Sequence, residues 1–208
     1  MSNIQPRELT MEEIEKLLGY KVKLVPKKRT KVVNIPDGEV FSIGETEFVV
    51  LKGGVKVLAI AKEAIGESLF DTNYNSYANS KLQTNHALHQ FRQMLIKEIG
   101  EKDLLMRRVD LLSDNGFYDY GSLNELAAPM TIDEFKQYSA ILENHKLIGN
   151  WWLATPHGTW EHNQSQEACY ITPDNMIEHA KCDTSMKIRP MICLNCSTIV
   201  GYNGSRLN

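Results

Sequence analysis

The sequence predicts an α+β fold, and three observations carry that expectation. Residues 39–43, 46–51 and 55–61 are short β-rich runs joined by Gly44-Glu45 and Gly53-Gly54. Two-residue, glycine-containing links between such runs are hairpin signals, so an antiparallel meander is expected here. Two amphipathic stretches, about 80–98 and 131–143, place apolar residues at helical spacing in the middle of the chain. Short β-rich signals then return at 168–172, 176–180 and 191–200. A mixed or antiparallel sheet built from N- and C-terminal strands, with two packed helices and long loops, accommodates all three.

Each element has a local reason. A short N-terminal helix is expected after Thr10, which with Glu13 makes a capping box; Ile14, Leu17 and Leu18 form its apolar face and Gly19 stops it. So short a helix is not stable alone in water, so it must dock. Residues 1–34 therefore read as an appendage of helix and basic linker, and residues 35–208 as the α+β domain. Pro36-Asp37-Gly38 signals the turn that opens the meander. Residues 71–79 are polar and asparagine-rich. Leu82, Leu88, Phe91, Leu95 and Ile99 mark the inward stripe of the first long helix, which Gly100 ends. Residues 104–112 read as a strand, Ser113-Asp114-Asn115-Gly116 as a turn, and Tyr118-Asp119-Tyr120-Gly121 as an exposed aromatic loop. Thr131 with Glu134 caps the second long helix, whose inward face includes Phe135, Tyr138 and Ile141.

The chain has 208 residues, 42% apolar and 24% charged, a globular balance with too many apolar residues for disorder. No run approaches the about 18 consecutive apolar residues of a membrane span, and MSNIQPRELT lacks a secretory pattern. A cytoplasmic protein with no membrane partner is expected, unless it leaves the cell as part of a particle. The net charge of -3 conceals an asymmetry: Lys21, Lys23, Lys27, Lys28, Arg29 and Lys31 lie in one stretch without an acidic residue. Such an arm suits nucleic acid or an acidic protein partner, and equally a solvated linker. No aromatic residue is interleaved in it, which weakens single-strand binding.

Cys169, Cys182, Cys193 and Cys196 sit late, the last pair as CxxC. Cys169 and Cys182 are thirteen residues apart, a poor match to a structural zinc site. Free thiols packed as small apolar side chains are expected.

Several blocks occur together: 41–51 (FSIGETEFVVL), Phe70-Asp71-x-Asn73-x-Asn75-x-x-Ala78-x-Ser80-x-Leu82, Asp110-Leu111-Leu112-Ser113-x-x-Gly116, Asp119-Tyr120-Gly121, Trp151-Trp152-Leu153-Ala154-Thr155-Pro156, and Ile188-Arg189-Pro190. In this order they resemble a domain of unknown function found in phages and gut bacteria, whose hallmarks are a WWLRTP-like motif and a later VRP. The resemblance spans about residues 38 to 196. That family is similar to the C-type-lectin-like fold shared by formylglycine-generating enzymes and variable phage receptor-binding proteins. It implies a core strand at Trp151-Trp152, a central strand opened by Arg189-Pro190, and ligand-facing loops between them. It also implies a phage origin, and so a place in the host cytoplasm or on a virion. Adjacent strand residues face opposite sides, so one tryptophan is expected in the core and the other under a loop. Arg189 is expected to pair with a carboxylate.

Little in the sequence points to catalysis. In a strand Cys193 and Cys196 face opposite sides and do not converge readily on copper. His157 or His162 with Asp174 or Glu161 could serve a hydrolase, but no nucleophile elbow, HExxH or phosphate loop accompanies them. No cofactor and no metal are expected. What remains is a recognition surface: Thr155, His157, Trp160, His162, Asn163 and Tyr170, aromatic and polar groups that give contact area and adaptable hydrogen bonds. The expected function is non-enzymatic binding of a protein, peptide or glycan. The alternative is an intracellular inhibitor of a host defence nuclease, anti-CRISPR-like, acting through Lys21, Lys23, Lys27, Lys28, Arg29 and Lys31 on a defence complex or nucleic acid.

Overall fold

Both glycine links close hairpins, but the second is lengthened to three residues by exposed Val55, and the ladder beside it shifts register. The computed structural model describes residues 10, 16, 17, 19, 28–147, 149–162 and 166–202. Its N-terminal half contains β1 (Lys28–Lys31), β2 (Val40–Ile43), β3 (Thr46–Lys52), β4 (Lys56–Ala61), β5 (Gly66–Leu69), α1 (His86–Ile99), β6 (Leu104–Leu105) and β7 (Arg107–Asp110). Then follow β8 (Ser122–Glu125), β9 (Ala127–Ala128), α2 (Ile132–Asn144), β10 (Trp151–Pro156), β11 (Glu167–Ile171), β12 (Ile177–Lys181), β13 (Ser185–Ile188), β14 (Met191–Asn195) and β15 (Ile199–Tyr202). The architecture is α+β and mostly sheet. Among the described residues no helix is long and apolar enough to cross a membrane.

Among the described residues one sheet has eight strands, in the order β1-β15-β2-β3-β4-β14-β6, with β9 also on β14. A second has five, β12-β11-β10-β13-β5, and β7-β8 is a separate ribbon. Pairing is antiparallel except for β10 beside β13. Two cores form because the central strands are covered on both faces. Phe48 and Val50 of β3, Ile192 and Leu194 of β14, and Trp152 and Ala154 of β10 join Leu88, Phe91 and Leu95 of α1. The alternate residues, Val49 and Leu51, Met191, and Trp151 and Leu153, join Phe135, Tyr138 and Leu142 of α2. Burial on both faces explains why these strands read as continuous apolar runs rather than alternating ones.

Trp151 and Trp152 are both fully buried, one in each core, and Trp152 packs edge-on against Phe70 at the start of the loop after β5, as expected of the second ring. Several expectations need correction. The first long helix starts at His86 rather than Ser80, because residues 80–84 make local turns. The Ser80 hydroxyl donates to Tyr77 O and accepts from Gln83 N–H, and the Thr84 hydroxyl donates to Ser80 O. Such side-chain bonds compete with a helix, and Asn85 becomes its cap, accepting from Ala87 N–H. Residues 104–112 split into β6 and β7, which enter different sheets on either side of exposed Met106. The closing apolar run likewise breaks into β14 and β15. The capping box of Thr131 and Glu134 forms on α2, and Glu134 also pairs with buried Arg107 at 2.6 Å.

Lys28–Lys31, within the segment read as linker, pairs with β15 at the edge of the large sheet. Of the expected N-terminal helix, Lys16 and Leu17 are helical and Gly19 has φ +74°; the rest lies outside the described residues. The β5 and β8 strands escape sequence reading because their residues are mostly polar or partly exposed, as an edge and a ribbon allow, and β13, between β10 and β5, because it is only four residues long with two of them exposed.

The chain passes between the two sheets at two neighbouring corners, β4 to β5 and β13 to β14. There Ala61 N–H donates to Pro190 O and Ile65 N–H to Ile188 O. Arg189 is buried, and its guanidinium donates to the carbonyls of Ala61 (3.0 Å) and Lys62. Its partners are thus backbone carbonyls and not the expected carboxylate. Burial holds its pKa below the usual arginine value. Replacing Arg189 by Met strands two corner carbonyls, and should cost about 2–3 kcal/mol in denaturant unfolding, more than Arg189→Lys, which keeps a donor.

Candidate functional site

Three loops meet at one end of the five-stranded sheet, and a buried asparagine joins them. Asn75, fully buried, donates from Nδ2 to Gly158 O (2.9 Å) and Glu167 O (2.7 Å). Its Oδ1 accepts from the Tyr120 hydroxyl at 2.8 Å, and that hydroxyl in turn accepts Trp160 N–H at 3.1 Å. One amide thus ties loop 71–85 to loop 157–167 and, through Tyr120, to loop 111–121. Burial raises the Tyr120 pKa, with Asp119 adding to it and the Trp160 bond opposing it, so the phenol stays a donor at neutral pH.

Further bonds fix each loop. Asp71 accepts from the N–H groups of Thr72, Asn73 and Lys81. Asp114 N–H donates to Pro156 O and Asn115 N–H to His157 O, hooking the second loop over the end of β10. His157 N–H donates to Glu167 O at 3.1 Å, closing the third loop at its base.

The expected site residues separate. Trp160 is 59% exposed although its backbone is anchored. His162 stacks on Phe117 with ring centroids 3.5 Å apart, and its Nδ1 lies 2.9 Å from the Thr159 hydroxyl. That hydroxyl donates to Asp119 at 2.5 Å. His157 is partly buried, stacked on His179 at 3.9 Å. Thr155 is buried, its hydroxyl accepting from Ile132 N–H at the start of α2, so it holds the helix rather than facing solvent. Tyr170 packs edge-on against Trp152 and its hydroxyl donates to Glu178. Asn163, with its neighbour Gln164, lies outside the described residues, as do Lys21, Lys23 and Lys27. Lys28, Arg29 and Lys31 sit on edge strand β1, away from these loops.

Tyr74 and Tyr118 are exposed on the other two loops, so each of the three presents an aromatic side chain. Beside Tyr74 lies a cavity of about 410 Å³ lined by Thr72, Asn73, Gln166, Lys181, Cys182 and Asp183. Thr159, with an Asp and a His beside it, is fully buried, which denies its hydroxyl to a substrate. Neither Asp174 nor Glu161 partners the two loop histidines: His162 approaches Asp119 and His157 approaches Asp114. The four cysteines are free; burial pushes the Cys182 thiol up to about 12 and raises Cys169 and Cys193 as well, so these three stay protonated near pH 7.

Sequence reading missed Asn75 and Tyr120 as organisers. The asparagine-rich run and the aromatic loop were the available signals, but neither shows which amide is buried. The chain matches no known protein family, no curated protein and no solved structure.

Removing the Asn75 amide leaves Gly158 O, Glu167 O and the Tyr120 hydroxyl short of a partner. Asn75→Ala should lower stability by about 1–3 kcal/mol. Hydrogen exchange at the Trp160 amide should accelerate more than exchange in β3.

Proposed function

We propose that this chain is a non-enzymatic binding protein of phage or mobile-element origin, recognising a protein, peptide or glycan through the three joined loops. The observation that carries the proposal is Trp160, 59% exposed on a backbone held by partly buried Tyr120, itself bonded to buried Asn75. A large apolar ring left in water is unfavourable, and holding it in one place lowers the entropy lost on contact. Tyr74 and Tyr118 extend the aromatic surface, and the polar cavity beside Tyr74 offers hydrogen-bonding groups suited to sugar hydroxyls or peptide groups. A C-type-lectin-like fold is part of the proposal; its support is the mixed α+β architecture, the buried Trp-Trp strand and the long loop that follows it. Action in the host cytoplasm or on a virion fits equally.

Trp160→Ala should reduce ligand capture at least about 10-fold, the loss typical of an aromatic anchor. The assay is binding to arrayed bacterial glycans and to immobilised host-cell proteins. The melting temperature should stay unchanged. Unaltered binding, or a lowered melting temperature with binding lost in proportion, overturns the proposal.

The inhibitor alternative rests on the exposed cations Lys28, Arg29 and Lys31 of β1. Lysines on an outer strand also block edge-to-edge aggregation, a sufficient reason for them. A deletion that tests the arm must stop at residue 27, because β1 belongs to the sheet. Removing residues 1–27 together with Lys28→Gln, Arg29→Gln and Lys31→Gln should leave loop-dependent binding within about 2-fold and without steep salt dependence; a large loss, with strong salt dependence in the unaltered chain, favours the arm.

A further inference from the structure

We propose that His157, His179 and Glu167 bind a divalent transition-metal cation, of which Zn²⁺ is the type, and that the cation clasps both ends of loop 157–167 to β12. The three residues are far apart in sequence, and no short metal motif contains them. The sheet brings them together. Cys169 of β11 pairs with His179 of β12, which puts Glu167, Cys169 and His179 on one face of the sheet, and His157 follows β10 at the same edge. One ligand atom from each of His157, Glu167 and His179 lies within 4.8 Å of the others. A second set, Asp114, His157 and Cys169, meets the same criterion and shares His157.

Beside this convergence, one observation points to a ligand at this place. Among the described residues His157 Nδ1 is buried without a hydrogen-bond partner, its nearest acidic oxygen being Asp114 Oδ2 at 3.9 Å. An imidazole nitrogen so placed is normally satisfied, and a metal ion satisfies it. The rings of His157 and His179 stack at 3.9 Å and 23°, with Glu167 Oε2 3.0 Å from His179 Nδ1, so binding turns the exposed His179 ring until both imidazole lone pairs face the cation. Two imidazoles and a carboxylate form a donor set of nitrogen and oxygen. That set suits Zn²⁺ and its first-row neighbours rather than Mg²⁺ or Ca²⁺, which take oxygen ligands. Access is open, since the His179 and Glu167 side chains are 48% and 40% exposed.

His157 and Glu167 stand at the two ends of the loop that carries Trp160. A cation joining them reinforces the single backbone bond from His157 N–H to Glu167 O. This role in stiffening the loop rests on the binding function proposed above; the cation site does not.

The test uses the full chain, stripped with a chelator and titrated calorimetrically with Zn²⁺ alone, with Co²⁺ absorption as a second reading. One Zn²⁺ per chain is expected. His179→Ala should weaken binding by about 100-fold or more and Glu167→Gln by about 10-fold or more, effects at or above those of altering a ligand's support. His162→Ala and Trp160→Ala should leave it unchanged, the latter separating failure of the cation site from failure of the recognition surface. Circular dichroism checks that each variant folds; Glu167→Gln preserves shape and keeps the test valid if His179→Ala does not fold. Absence of Zn²⁺ binding by the wild-type chain, or equal binding by His179→Ala or Glu167→Gln, overturns the proposal.

Discussion

The two sheets of this protein hold together at a corner where four strand ends meet, and Arg189 is the residue that satisfies it. Chain crossing between sheets leaves carbonyls without ladder partners, and here they lie in the interior, where water cannot serve them. A guanidinium is suited to the position because its Nη1 alone carries two N–H groups, one for each carbonyl. Its carbon lies 5.9 Å from the centroid of the Trp151 ring, so the same group contacts the second core. The placement of the five-stranded sheet, and of every loop at its end, follows from this corner.

A second constraint is burial on both faces of the central strands. With α1 on one core and α2 on the other, β3, β10 and β14 have no solvent face. Their apolar content is then required at successive positions, as in Trp151-Trp152-Leu153-Ala154. The polar groups that must accompany this chain inside are confined to a few networks. Arg107 with Glu134 and the carbonyls of Ala128 and Pro129 is one, and Asn75 with three loop partners is another. Buried polar networks of this kind specify geometry, since each member has few alternative partners. The anchored but exposed Trp160 is a consequence of the second network.

Much of the fold was legible. The glycine links, the Thr131–Glu134 box and the stripe of Leu88, Phe91 and Leu95 are local signals that tertiary context left intact. The errors share a cause. Ser80 and Thr84 lie on a helical stripe but find backbone partners in turns, and Met106 sits in a run that reads as one strand but is divided between two sheets. The candidate site was legible only in part. Trp160, His157 and His162 were visible as polar and aromatic loop residues, whereas Asn75, Asp114 and His179 come from segments with no common motif, and their meeting depends on strand register.

The sequence by itself determined the α+β class, the hairpin meander, the caps of the second helix and the cationic character of residues 21–31, because each depends on residues close along the chain. The tertiary structure decided which loop residues face solvent, that Thr155 serves a helix, that Arg189 binds carbonyls, and that two histidines and a glutamate, from two strands and the loop after a third, converge. Those outcomes depend on pairings across long stretches of chain, as between Cys169 and His179 or Lys28 and Tyr202. A strand's register moves every side chain it carries to one face or the other, and no local pattern encodes that choice.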